Sequence, residues 1–289
     1  VKVLKSFGNG VREATIRPKM VLLLWFFNLL FGFFIFYLLY GRLAEALSQS
    51  AISEGMQSKV NYNFVFEFLT YHGEALGTIR SLALVLICVY ILVSIFLFGG
   101  ILQVIVVGTQ KKSFLQRFFQ GCGKFFGRFF RLFIYSLVLW FVFVVLMIIL
   151  YQIGSALTEN GANEKLTYYL YLVGGGIALF FIFFINMIQD YARIRIVTED
   201  SRYVLRSLFQ SIGFVFKRLG GTLGLYYLLV LTGVVVALVY WGLRSVIPFS
   251  SGAAILITFL VYQLFIASHA WIKVAFQAGQ LSYFTELRQ

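Results

Sequence analysis

Long uninterrupted apolar runs, separated by short polar or basic segments, dominate the chain. A bilayer core about 30 Å thick needs about 20 apolar residues at 1.5 Å per residue. Six stretches meet that length, at 20–40, 81–107, 132–153, 167–189, 219–243 and 252–271. Each is continuous rather than alternating, which excludes a transmembrane β-barrel and predicts helices. Pro18 precedes the first run and Pro248 falls in the turn before the sixth, so neither interrupts a span. The pattern predicts an all-α polytopic membrane protein with six transmembrane helices in three helical hairpins.

The segments between the runs carry a second pattern. Residues 111–131 read KKSFLQRFFQGCGKFFGRFFR. At 100° per residue, Arg117, Lys124, Arg128 and Arg131 share one narrow sector. Phe114, Phe118, Phe119, Phe125, Phe126, Phe129 and Phe130 lie opposite. A basic stripe facing an aromatic one predicts a helix reclining in the headgroup layer, with its cations on anionic lipid. Residues 201–218 repeat this more weakly: Arg202, Arg206 and Lys217 share one face, and Val204, Leu205, Leu208, Ile212, Val215 and Phe216 the other. The first 19 residues are basic with a poorer apolar face. Each hairpin is therefore expected to follow a cytoplasmic amphipathic interfacial helix. Rings interleaved with basic residues also serve RNA binding. Here they form one face running into a span, so no nucleic-acid partner is expected.

Phe119-Gln120-Gly121-Cys122-Gly123, then Phe125-Phe126 and Arg128, has an echo 90 residues on. There it reads Phe209-Gln210-Ser211-Ile212-Gly213, then Val215-Phe216 and Arg218. The chain is read as a single integral membrane domain, 1–289, with repeat units 1–110, 111–198 and 199–289. Any basic amphipathic stretch before a span gives a similar layout without a repeat. The segment 41–79 is the one sizeable external loop, with an interfacial helix expected at 62–69. Its Glu45, Glu54, Glu67 and Glu74 read as solvated loop charges rather than an ion-collecting vestibule.

Composition agrees with the pattern. The chain is 61% hydrophobic and 12% charged, whereas soluble domains are about 45–50% apolar and about 25% charged. That much apolar surface cannot be hidden in a water-soluble fold of this size. A net charge of +13 acquires meaning from its placement. With the N-terminus inside, 19 of the 24 Lys and Arg fall on cytoplasmic segments and 5 on the other side. Both termini are expected in the cytoplasm, and the location read is the bacterial cytoplasmic (inner) membrane. The basic N-terminus followed by an apolar run also resembles a signal peptide. The run has about 21 residues, against about 7–15 for a signal core, so it is read as a retained span.

Chemistry-bearing residues are sparse. Cys88 and Cys122 form no disulfide framework. His72 and His269 fall on opposite sides of the membrane, so no metal site is expected. Walker, GxSxG and HExxH motifs do not occur, and neither an enzyme nor a cofactor is expected. Polar residues inside the spans are Asn28, Gln103, Asn186, Gln189, Asp190, Gln263, His269 and Lys273, none acidic near a midplane. Asp190, Arg193 and Arg195 at the end of the fourth span, with His269 and Lys273 at the end of the sixth, suggest a charge cluster. It would join units or hold a lipid headgroup phosphate; snorkelling and helix-end ion pairs account for the same residues. Gly123 with Gly127, Gly174 with Ala178 and Gly220 with Gly224 are spaced for close helix approach. Gly99 and Gly100 read as a flexible point in the second span.

The run Asp190-Tyr191-Ala192-Arg193-Ile194-Arg195-Ile196-Val197, with Glu199-Asp200-Ser201-Arg202 and then 214–226, FVFKRLGGTLGLY, adds a resemblance. With six spans and a basic N-terminus, the chain resembles a group of uncharacterised bacterial six-span inner-membrane proteins. It is similar in layout to the membrane domain attached to some glycerophosphodiester phosphodiesterases. Their catalytic domain has no counterpart here, so the resemblance implies no hydrolytic residue. The function expected is a non-catalytic scaffold or accessory subunit of a membrane assembly, docked on anionic lipid, with a membrane-protein partner or a second copy. The alternative is a transporter or lipid-handling protein for a small amphiphile.

Overall fold

The computed structural model describes residues 2–48, 73–108, 113–158, 164–247 and 252–288. The expected interfacial helix at 62–69 lies outside them. Among the described residues every element is an α-helix. We label them α1 (Lys2–Ile16), α2 (Pro18–Ser48), α3 (Gly73–Val107), α4 (Phe114–Thr158), α5 (Glu164–Thr198), α6 (Val204–Lys217), α7 (Leu219–Val246) and α8 (Gly252–Glu286). Six of them, α2, α3, α4, α5, α7 and α8, are long and apolar enough to cross a bilayer. The chain is a multi-pass membrane protein.

Several of these helices are longer than a span. At 1.5 Å per residue, the 35 residues of α8 extend about 52 Å and the 45 of α4 about 68 Å. The basic aromatic stretch 114–131 is the first part of α4, not a separate helix. Nothing in it breaks the helix, since its Gly residues alternate with Phe and Arg and it holds no Pro.

Two compact units divide the chain, Val1–Val21 with Ile95–Gln289, and Leu22–Ser94. In the smaller one, Tyr90 donates to the Asn28 carbonyl (3.4 Å) and its ring meets Phe31 at 5.1 Å, so the carbonyl of the amide within the first span has a partner.

The larger unit has its core at one end of its helices. Between Ala270 and Phe284 most residues of α8 are buried on every side, as expected of a helix at the centre of a cluster. Around it stand α1, the start of α7 (Tyr226 against Phe276, 5.3 Å between rings) and α6 (Phe214 against Phe284, 5.2 Å). The start of α4 buries Phe118, Cys122, Phe125, Phe129, Leu132 and Ser136. Those spacings of four and three define a coiled-coil-like seam. Toward the other end the same helices are exposed, with Val138, Phe141, Leu238, Trp241 and Leu264 all beyond 59%. In a bilayer such faces lie against lipid at no hydrophobic cost.

Close approaches in this unit occur at glycines other than the expected pairs. A Cβ at Gly123, Gly127, Gly174 or Gly220 would meet nothing within 4 Å, and one at Gly224 only Val3 at 3.8 Å. Instead Gly99 approaches the Gly121 carbonyl (2.8 Å to a Cβ), and Gly100 faces Cys122 and Phe118. The pair expected to be a flexible point is thus where α3 packs on α4, within continuous helix. Gly108 follows α3 with φ +71°, a conformation open to glycine, and its N–H closes on the Val104 carbonyl at 3.1 Å.

The helix α1 runs antiparallel to the end of α8. Ser6, Gly10 and Ala14 form its buried stripe, facing Ala275 and Gly279. Polar contacts flank the stripe: Lys5 to Glu286 (3.0 Å), Asn9 to Ser282 (3.0 Å) and the Trp271 indole N–H to Thr15 (3.2 Å). Small side chains spaced four positions apart bring two backbones together and permit this ladder.

Candidate functional site

The last turns of α5 place Gln189, Asp190 and Arg193 on one side of that helix, three and four residues apart. Arg193 donates through Nη1 to Asp190 Oδ1 (3.0 Å) and through Nη2 to Gln189 Oε1 (3.4 Å). From α8, Gln277 Nε2 donates to the same carboxylate oxygen at 3.2 Å. From α3, the Phe98 ring receives two cations: Arg193 Cζ stands 4.4 Å from its centroid and Lys273 Nζ 4.6 Å. Asp190 is 9% exposed and Gln189, Gln277 and Gln280 less, so the cluster is buried. Several of its atoms have no partner, namely Gln189 Nε2, Gln277 Oε1, both amide atoms of Gln280 and the Tyr191 hydroxyl.

Of the residues expected here, Asp190, Arg193 and Lys273 come together; Arg195 turns to Glu199 and Gln210 instead, and His269 stands apart. It lies exposed one turn from Lys273, its ring 6.3 Å from Phe265. One turn along a helix changes the facing by about 40°, enough to direct one side chain inward and the other out. Phe98, Gln277 and Gln280 were missing from the sequence reading. Ending the sixth span after about 20 residues left both glutamines outside it. Nothing in the sequence distinguishes Phe98 from 33 other phenylalanines.

The expected lipid-contact cations separate into three groups. Arg117 is buried, at 8% exposure, and is not presented outward. Lys124 and Arg128 are engaged by Asp200 at 3.0 and 2.6 Å. Arg131, Arg202, Arg206 and Lys217 are exposed. Part of the aromatic face of 114–131 packs on protein: Phe118, Phe125 and Phe129 are buried while Phe119 and Phe130 are exposed. In α6, Val204, Leu208 and Val215 are buried, whereas Leu205, Phe209 and Phe216 are exposed.

Asp200 closes the turn after α5. Its φ of +47° is a left-handed conformation that Asp tolerates better than most residues, and Ser201 N–H reaches the Ile196 carbonyl at 3.2 Å, a Schellman-type end. Hydrogen bonds from Arg128, then Lys124, hold its carboxyl below the usual carboxylate range. A depressed folded pKa means the stabilisation is present above the unfolded value, about 3.9, and is lost as pH falls through the folded one. The side chain is 57% exposed, so solvent screening limits the effect to about 1 kcal/mol or less. Asp200→Asn retains the turn preference and removes the charge. Its thermal midpoint is expected to fall less steeply than that of the native chain between pH 5 and about pH 2; parallel slopes would exclude the ion pairs as the cause.

Around this turn, Glu199 meets both Arg288 and Arg195 (3.8 Å), and Arg195 Nη1 donates to Gln210 at 2.7 Å. These contacts join the ends of α5 and α8 to α6. Among the described residues no three His, Cys, Asp or Glu stand close enough to hold a metal ion, and Cys88 and Cys122 are unpaired. No family model, curated protein or solved structure matches the chain, so its function is argued from this geometry alone.

Proposed function

We propose that the chain is a non-catalytic scaffold or accessory subunit of a membrane assembly, set in a bacterial inner membrane with its packed end toward the cytoplasm. The observation that carries this reading is the uneven packing of the larger unit. Its helices are locked together at one end and leave long apolar faces open at the other, Phe141 and Trp241 being 68% and 69% exposed. Such faces suit lateral contact with another membrane chain, formed by packing rather than by the hydrophobic effect. The exposed Arg202, Arg206 and Lys217, beside Leu205, Phe209 and Phe216 on α6, suit an anionic headgroup layer, at about 1 kcal/mol per cation. The positive-inside bias supports the orientation.

Purification from native membranes in mild detergent tests it. A second membrane chain should co-purify in fixed proportion; free monomer under every mild condition would sink the reading. A single cysteine introduced by Lys217→Cys should react with impermeant reagent only from the cytoplasmic side, and one introduced by Arg244→Cys only from the opposite side.

The second reading, passage or storage of a small amphiphile, has one observation in its favour. An apolar cavity of about 290 Å³ lies between α4 and α5, bordered by Met147, Leu150, Tyr151, Leu170, Tyr171 and Ile177. An acyl chain resolved there would support it.

A further inference from the structure

We infer that Arg193, Lys273 and Gln189 form a receptor for one phosphate-bearing anion at the packed end of the larger unit. The inference deepens the lipid-docking part of the proposed function and rests on its orientation. Its basis is an imbalance of charge. Two cations share the Phe98 ring, so they stand no farther apart than the sum of their distances to its centroid. One carboxylate, Asp190, is bonded to Arg193. Among the described residues Lys273 makes no hydrogen bond or ion pair; its ammonium stands over the face of the ring, and Asp190 attracts it only through space. A ring quadrupole attracts a cation but accepts little from its N–H groups, and a half-buried ammonium in a low-dielectric setting is costly unless an anion accompanies it. An ordinary snorkelling lysine would extend its head into water along the shortest path. Lys273 instead stands over Phe98, 4.6 Å from its centroid.

Gln189 supplies an independent indication. Its carbonyl accepts from Arg193 while its Nε2, on a residue 6% exposed, has no acceptor. A buried amide donor left unmet costs about 1–3 kcal/mol. Arg193, Lys273 and this amide are all donors, and they lie beside a single carboxylate already bonded by Arg193 and Gln277. A phosphate oxygen cluster accepts from several donors at once and carries the missing negative charge. Depth agrees too: the apolar runs expected to span the membrane end at 189 and 271, which sets the cations just past them, where headgroup phosphates lie. A phospholipid monoester or diester and free phosphate share this chemistry.

The test uses the full chain, purified in detergent and analysed by native mass spectrometry with phosphatidylglycerol, phosphatidylcholine or inorganic phosphate added. One phosphatidylglycerol is expected to persist at least tenfold more than phosphatidylcholine, and Lys273→Gln should reduce its retention at least fivefold. Arg193→Lys, which preserves the charge and the Phe98 contact but loses the fork, should reduce it less. Arg131→Gln, at an exposed site on α4, should leave it unchanged even where it weakens binding to anionic vesicles, which separates this receptor from general surface docking. If inorganic phosphate at millimolar concentration displaces the lipid or binds alone, the receptor stands and its ligand is soluble phosphate. Equal retention of both lipids with no phosphate binding, or full retention by Lys273→Gln with an unchanged melting curve, would overturn the inference. The presence or absence of a co-purifying partner chain leaves these outcomes untouched.

Discussion

Gly10→Ala is expected to lower the thermal midpoint of the purified protein, while Gly8→Ala, two residues earlier on the same helix, raises it. In an exposed helix interior the exchange of Gly for Ala stabilises by up to about 1 kcal/mol, because glycine loses more backbone entropy. At Gly8 a Cβ meets nothing within 4 Å, so that gain is realised. At Gly10 it would lie 2.6 Å from the Ala275 carbonyl oxygen and 2.8 Å from the Gly279 backbone. Those are backbone atoms of a buried helix and cannot rotate away, so α1 must lift off α8. Lifting also opens the contacts of Asn9 with Ser282 and Lys5 with Glu286. The cost is about 3 kcal/mol or more, at the upper end for an overpacked core position, and Gly10→Leu should release α1 outright. Thermal melting in detergent, with limited proteolysis of α1 as the second readout, decides the matter. Opposite signs at the two glycines are required; a loss at both, or a gain at both, would show that the crossing is not as close as described.

That crossing also shows where the sequence ceased to be legible. Span number and helical class follow from local hydrophobicity, because in lipid every backbone group must be satisfied within its own helix. Six apolar helices were therefore evident from the runs alone. Inter-helix contacts obey no such local rule. The small-residue pairs at 123 and 127, at 174 and 178 and at 220 and 224 have the right spacing, yet those four-residue intervals recur by chance in a chain with 26 glycines. The spacing that is used, Ser6-Gly10-Ala14, sits in a segment whose charges drew attention to lipid instead.

The charge cluster was legible in its cations and less so in its setting. Asp190 and Arg193 were recognisable because an acidic and a basic residue three apart at the end of an apolar run are uncommon. Choosing between His269 and Lys273 needed the rotation of α8 about its axis, which packing on α1 and α7 sets. Residues 114–131 were read as a basic stripe and an aromatic one, but which residues meet protein depends on a neighbour 70 or more residues away in sequence: Asp200 takes up Lys124 and Arg128. Periodicity identifies an amphipathic face without saying what covers it.

The largest electrostatic effect is expected at the buried pair itself. Arg193→Met removes the cationic hydrogen-bond partner of a carboxylate that is 9% exposed and leaves it to neutral amide donors, Gln277 among them. Breaking one member of a buried pair costs about 3–5 kcal/mol, because the surviving charge remains desolvated. Asp190→Leu is expected to be similarly costly, since Arg193 and Lys273 then share the Phe98 ring with no carboxylate to offset them. Combining Asp190→Leu with Arg193→Met removes both charges and should recover most of the loss, leaving the double variant more stable than either single one. The coupling, read from melting curves of the four proteins in the same detergent, should exceed about 2 kcal/mol. Additive losses would instead mean that the two residues act separately, through packing, and that the carboxylate is neutral in the folded chain. The same cycle repeated with Lys273→Gln in the background should show Asp190→Leu tolerated better, since one of the two cations it strands has gone. Asp190, Arg193 and Lys273 set the charge of this cluster together, and each substitution is predicted by the sign it leaves behind.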